Sequence, residues 1–279
     1  MGILQFLKTL FLGIVEGITE WLPISSTGHM LLVDEFLKLD GSDEFKVVFF
    51  VVIQLGAVMA VVLLFWNKLW PFCRKNPEKS GILAYCKEDS FLTWFKVALA
   101  CVPGTAATLL FGDFIDAHLE TPVVIAIMLI VYGVAFLFVE KGKKQARVTN
   151  LYDISWRDAL IIGLFQVLSI IPGTSRSGAT IVGALLIGIS RTAAAEFTFF
   201  MAVPVMAGLS GVKLLKADLS AFTAGEWATM AVGSVVAFFV SLAVVKGLMN
   251  YIKKHDFSVF GWYRIALGAV VLLYFTLFR

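Results

Sequence analysis

Glu16 and Glu20 stand four residues apart, so on a helix they share one face. Two carboxylates that close in an apolar setting repel, and either one holds a proton or a cation sits between them. Paired oxygens suit a hard divalent ion, Mg2+ or Ca2+. The bland alternative is a hydrogen-bonded pair in a wet vestibule. Ser25, Ser26 and Thr27 follow, then Gly28 and His29. A hydroxyl beside a histidine is the minimal nucleophile–base pair. The same run also reads as a cap on a helix over 30–39, with His29 in its first turn. The two roles are compatible, because a helix N-terminus attracts anions.

A second polar segment runs Pro172, Gly173, Thr174, Ser175, Arg176, Ser177, Gly178, Ala179, Thr180. Gly13, Ser25, Thr27 and Gly28 map onto Gly163, Ser175, Ser177 and Gly178 at one constant offset. Glycines let backbone approach a ligand, free N–H groups at a helix start point at it, and the dipole favours negative charge. Arg176 adds a planar fork suited to phosphate. Its structural alternative is a buried pair with Glu20. The chemistry these groups suit together is chemistry on a phosphate. Ser25, Thr27, Gly28, Gly173, Thr174, Ser175, Ser177, Gly178 and Thr180 are the expected cradle.

The elements that hold these residues lie in a chain that is 59% hydrophobic and 15% charged, with mean hydropathy +0.88. That composition excludes an ordinary soluble domain and implies an all-α polytopic membrane protein. Six full spans are expected, over about 45–66, 91–112, 121–140, 192–214, 226–248 and 257–278. The second begins with Lys96 near its start, and the last requires Arg264 to snorkel to the interface. The polar segments interrupt shorter apolar runs, 4–22 then 30–39 and 159–171 then 179–189. Pro23 and the Pro172-Gly173 step free backbone groups, which membrane depth tolerates only beside protein or a watery cavity. Each run therefore reads as a re-entrant helix pair, over 1–39 and 158–189.

An odd number of spans in each half makes the second half inverted relative to the first. The expected organisation is a first repeat over 1–140, a basic linker over 141–157 and a second repeat over 158–279. Lys68, Arg74, Lys75, Lys79, Lys87, Lys141, Lys143, Lys144, Arg147 and Arg157 share one side, joined by Arg191, Lys246, Lys253 and Lys254. Asp34, Glu35, Asp40, Asp43, Glu44, Asp113, Asp116 and Glu120 share the other. The positive-inside rule makes the basic side cytoplasmic and puts both termini outside. The first apolar run lacks a small-residue cleavage site and leads straight into the carboxylates, so no signal peptide is expected. Cys73 and Cys86 fall in a cytosolic loop and are expected reduced, and Cys101 reads as packing. Gln54 and Gln166 read as interhelical glue. Glu196 is expected to pair locally or at the interface, and His118 and His255 to be solvated. Trp66, Trp70 and Trp262 read as an interface belt.

Glu16-Gly-x-Thr-Glu20-x-Leu-Pro-x-Ser-Ser-Thr-Gly-His29 and Pro172-Gly-x-Ser-Arg176-Ser-Gly-Ala-Thr180 resemble the two signature motifs of the bacterial undecaprenyl-diphosphate phosphatases, the bacitracin-resistance family. The stretch from Glu196 to Pro204 is similar as well, and the resemblance covers essentially the whole chain. It implies an inner-membrane enzyme that opens outward, hydrolyses undecaprenyl diphosphate to undecaprenyl phosphate and inorganic phosphate, and needs a divalent cation. The matching catalytic residues are Glu16, Glu20, Ser26, His29 and Arg176. In that light Ser26 is the preferred nucleophile with His29 or Glu20 as base, and attack by water is the rival. Glu16 and Glu20 would hold the metal. Expected partners are the lipid substrate and bilayer lipid, with a homodimer as the protein partner considered and no nucleic acid. A polyprenyl-phosphate flippase is the competing function, since broken helices around a midplane site also build transporters.

Overall fold

A computed structural model of the chain describes residues 2–73, 85–142 and 145–277. The basic residues Arg74, Lys75, Lys79, Lys143 and Lys144 lie outside the described residues, as do the side chains of Asp34 and Asp116. The described residues fold into helices: α1 Ile3–Thr19, α2 Ser26–Phe36, α3 Asp43–Leu64, the short α4 Trp66–Leu69, α5 Glu88–Leu119, α6 Pro122–Lys141, α7 Trp156–Val167, α8 Arg176–Leu186, α9 Arg191–Lys216, α10 Ala224–Ile252 and α11 Ser258–Leu277. Six of them are long and apolar enough to cross a membrane: α3, the Glu88–Ile115 part of α5, α6, α9, α10 and α11. Two helices with one polar turn between them precede each set of three, in the order expected.

The long helices pair off. α6 lies along α11, and α3 packs on both α10 and α9. α1 packs on α10, and α7 packs on α5. Small residues allow these approaches, as they do where no water drives helices together. A Cβ on Gly13 would stand 2.8 Å from the Gly233 carbonyl oxygen. One on Gly17 would stand 2.8 Å from Val240 Cβ. Gly163 meets the Ala100 backbone of α5 in the same way.

α2 and α8 are 11 residues each, about 17 Å at 1.5 Å per residue, little more than half of a hydrocarbon core of about 30 Å. They start sooner than the apolar runs suggest, at Ser26 and Arg176, because a serine caps each. Ser25 has φ 72° and Ser175 has φ 69°, the left-handed region that non-glycine residues rarely occupy. In each case the serine Oγ accepts the third following amide, from Gly28 at 3.3 Å and from Gly178 at 3.2 Å. Such a cap contributes about 1 kcal/mol, which offsets part of the backbone strain.

One expectation fails. Arg264 does not snorkel to an interface; it is fully buried. Five backbone carbonyls around it supply the polar environment that an interface would otherwise have to provide. Lys96 also turns inward, and its Nζ donates to the Tyr152 carbonyl at 3.1 Å. Glu196 pairs across helices with Lys68, at 2.7 Å to both oxygens. Its near neighbour Arg191 pairs instead with Glu140.

Candidate active site

The chemistry-bearing residues converge where the polar turns of the two helix pairs meet. Glu16 and Glu20 leave the C-terminal end of α1 and are 2% and 7% exposed. Pro23 ends that helix's course, and the chain reverses into α2. Ser26 and Arg176 each occupy the first position of their short helix, and both reach the same carboxylate. Ser26 Oγ donates to Glu20 Oε2 at 3.0 Å. Arg176 Nη2 donates to Glu20 Oε1 at 2.9 Å and touches Met206 Sδ at 3.9 Å. The expected Arg176–Glu20 pair is therefore present, and a serine hydroxyl completes it.

Several buried polar atoms here find no partner. They are Glu16 Oε1, Thr174 Oγ1, Arg176 Nη1 and, on the residue after Glu20, Trp21 Nε1. Buried polar groups are nearly always paired, and of these four residues Glu16 and Arg176 lie close enough to interact. The Glu16 carboxylate neighbours Glu20, Gln54 and Arg176. Among the described residues no group of three His, Cys, Asp or Glu side chains surrounds a common point. A cation held by Glu16 and Glu20 would take its other oxygens from water or substrate, which suits Mg2+.

His29 lies on α2 but does not touch Ser26 through any hydrogen bond. Its Nδ1 is 2.7 Å from the Ser25 carbonyl oxygen, which only accepts, so Nδ1 carries a proton. Its Nε2 is 2.7 Å from the Tyr263 hydroxyl, and the two rings stack with an interplanar angle of 2°. Ser25 and Ser175 spend their hydroxyls as caps, and Ser175 Oγ also meets Ser177 Oγ at 3.1 Å. Thr180 is tied to Thr198 at 2.9 Å and to its own helix, which makes it a packing hydroxyl. Thr27 is exposed. Gly173 has φ +89°, and a Cβ there would lie 2.6 Å from the Ile125 carbonyl oxygen. Glycine is required on both counts.

Sequence reasoning missed Tyr263 and Arg264 as site neighbours. Tyr263 looks like one more aromatic in an apolar helix. Arg264 was visible as an odd charge, but its partners are carbonyls, which carry no side-chain signal.

A polytopic helical membrane protein thus brings a serine, a buried carboxylate and an arginine together beside unpartnered polar atoms. The family model for bacitracin resistance protein BacA matches residues 9–270, and the chain belongs to that family. The chain is 63% identical over 275 residues to an undecaprenyl-diphosphatase of Enterococcus faecalis, covering 98% of both. It is 54% identical to one from Lachnoclostridium phytofermentans, over the whole of both chains. A third, from Desulfitobacterium hafniense, is 52% identical, with 99% of this chain and 98% of the relative covered.

Proposed function

We propose that this chain is a membrane phosphatase that hydrolyses undecaprenyl diphosphate to undecaprenyl phosphate and inorganic phosphate. The activity would recycle the lipid carrier of cell-wall synthesis, and abundant enzyme would confer resistance to bacitracin. The observation that carries this reading is the Ser26–Glu20–Arg176 chain, at 3.0 and 2.9 Å, which joins a nucleophile, a base and a phosphate-binding cation from both helix pairs. The similar proteins are undecaprenyl-diphosphatases by name, which supports the substrate.

Arg176 is the group that grips the terminal phosphate, through the Nη1 that has no protein partner, with the start of α8 behind it. Ser26 Oγ attacks the terminal phosphorus in line as its proton passes to Glu20 Oε2. The bond from phosphorus to the bridging oxygen breaks, and undecaprenyl phosphate leaves with the electron pair and takes the proton from Glu20, which is again a carboxylate. Water then attacks the phosphoserine, Glu20 takes the water's proton, and Ser26 Oγ is reprotonated as inorganic phosphate departs. Glu20 is the base because Ser26 already donates to it, whereas the ring of His29 is occupied by Ser25 and Tyr263. His29 holds the turn that presents Ser26. A divalent cation on Glu16 and Glu20 would offset charge on the phosphate oxygens.

The fold reading is an inverted repeat of 1–140 and 158–279 around the linker 141–157. The short pairs α1–α2 and α7–α8 are re-entrant and enter from opposite faces. The matched serine caps and the matched packing of α1 on α10 and α7 on α5 support it. The basic side is cytoplasmic, the site opens outward, and both termini lie outside. A reporter fused after Arg279 that reads as cytoplasmic would overturn this orientation.

A flippase would use Arg176 and the cradle but has no use for a serine hydroxyl set on a carboxylate. Phosphate release from a polyprenyl diphosphate by the purified protein, with and without Mg2+ or Ca2+, separates the two. Release stimulated by an ion is expected; no release under any ion would sink the phosphatase.

A further inference from the structure

Arg264 is the largest buried charge that the mechanism leaves unused. It stands on α11, remote in sequence from both polar turns, and no solvent reaches it. Its guanidinium lies 5.5 Å from the centre of the Tyr132 ring. No carboxylate among the described residues pairs with it. Every hydrogen-bond acceptor is a main-chain carbonyl. Nη1 donates to Pro23 at 3.1 Å, and Nη2 donates to Gly173 at 2.8 Å and Thr174 at 2.9 Å. Longer contacts reach Leu129 and Met128 of α6, at 3.4 and 3.5 Å.

Pro23 lies in the turn that leads to Ser26, and Thr174 lies in the turn that leads to Arg176. One planar fork therefore holds both turns at once. The Thr174–Ser175 peptide is planar, so fixing its carbonyl toward Arg264 turns the Ser175 N–H the opposite way, at the start of α8. A Cβ on Gly178 would come within 3.1 Å of Arg264 Nη1, which puts the guanidinium directly behind the first turn of α8. Its charge has no anionic partner to cancel it and adds to the positive end of that helix.

We infer that Arg264 is a positioning residue for the reaction: it clamps the turns of both helix pairs in register so that Ser26 and Arg176 meet on Glu20, and it lends uncompensated positive charge to the diphosphate site. This rests on the phosphatase reading. A lysine keeps the charge but cannot span both turns, because it lacks the fork.

The test uses the full-length purified protein and Arg264→Lys, with two readouts. The first is phosphate release from a polyprenyl diphosphate. Arg264→Lys is expected to lose about 10–100-fold in kcat while KM changes less, the pattern of a displaced catalytic geometry. Paired with Arg176→Lys, it should lose little beyond Arg176→Lys alone, because both act on one arrangement. Multiplicative losses, or near-normal turnover, would overturn the inference. The second readout is amide hydrogen exchange, which needs no turnover. Exchange should quicken in segments 22–29 and 172–179 together and stay unchanged in α9. Quickening in one turn only, or throughout the chain, would also overturn it. If Arg264→Lys does not fold, Tyr132→Leu removes the ring under the guanidinium and should reproduce both effects more weakly; wild-type turnover and exchange there would refute the clamp. Absence of turnover in the wild-type protein would defeat the phosphatase reading, and the exchange result would still decide the clamp.

Discussion

The two polar turns share a backbone and differ in what they carry. Ser25 and Ser175 adopt nearly the same left-handed conformation and cap their helices alike. α2 and α8 span Ser26–Phe36 and Arg176–Leu186, displaced by the same 150 residues. At equivalent positions Glu16 faces Gln166, Glu20 faces Ile170, Ser26 faces Arg176 and His29 faces Ala179. Burial differs as well. α8 is sunk in the protein from Ser177 to Ala184, whereas along α2 Gly28 alone is fully buried among the residues whose side chains are described. The difference teaches a division of labour. The short helix that starts at Arg176 is enclosed, whereas the one that starts at Ser26 is only partly covered. One carboxylate, Glu20, accepts from the first residue of both short helices.

Removing that carboxylate should have the largest effect. Glu20→Gln keeps the shape but takes away the charged carboxylate that Ser26 and Arg176 share. Phosphate release should fall by about 10²–10⁴-fold. A fall below ten-fold would mean that the halves work without their shared carboxylate. Arg176→Lys should cost about 10²–10³-fold, the scale of one lost charge-stabilising donor at a transition state. Turnover close to wild type would make Arg176 a structural partner of Glu20 and nothing more.

Tyr263→Phe probes the exposed half more gently. It keeps the ring stacked on His29 and removes one hydrogen bond, worth about 1 kcal/mol or roughly five-fold. Turnover should drop by that order with the melting temperature unchanged. A loss as deep as that of Glu20→Gln would instead put the His29–Tyr263 pair into the proton path.

The smallest effect is on stability of the enclosed half. Asp158 opens α7 and is held from the linker by Arg147 at 2.6 Å, with Ser155 completing a capping box. Burial raises its carboxyl, but the hydrogen bonds from Arg147 and Ser155 outweigh that and hold it below the ordinary aspartate value. A lowered folded value means stability that is present above the unfolded pKa and lost as pH falls through the folded one. Asp158→Asn should therefore melt earlier at neutral pH, by about 1 kcal/mol after allowing for the half-exposed Arg147. The gap to wild type should close once the pH is low enough to protonate Asp158. A gap that persists in acid would show that shape, not charge, was lost.

Much of this was legible in the residues themselves. Six apolar runs and two interruptions at Pro23 and Pro172-Gly173 carry the helix order, because a bilayer leaves few other ways to satisfy backbone groups. Glu16, Glu20, Ser26 and Arg176 announce themselves as polar groups where polar groups are expensive. The helix starts at Ser26 and Arg176 were harder to see, since they depend on serines strained into a positive φ. Tyr263 and Arg264 were hidden for different reasons. A tyrosine in an apolar span resembles the interface belt. An arginine there suggests snorkelling, because nothing in a sequence marks that the carbonyls of Pro23, Gly173 and Thr174 will gather around it.

The central claim is that Ser26, set on Glu20 and served by Arg176, takes the terminal phosphate of a polyprenyl diphosphate. The direct measurement is a single turnover of purified protein on substrate labelled in that phosphate, quenched in acid at early times and mapped by peptide. The account predicts label on Ser26 that rises and then decays into inorganic phosphate, and none on Ser26→Ala, which should also fail to turn over. Label that passes straight to inorganic phosphate, together with wild-type turnover by Ser26→Ala, would contradict it and assign the attack to water.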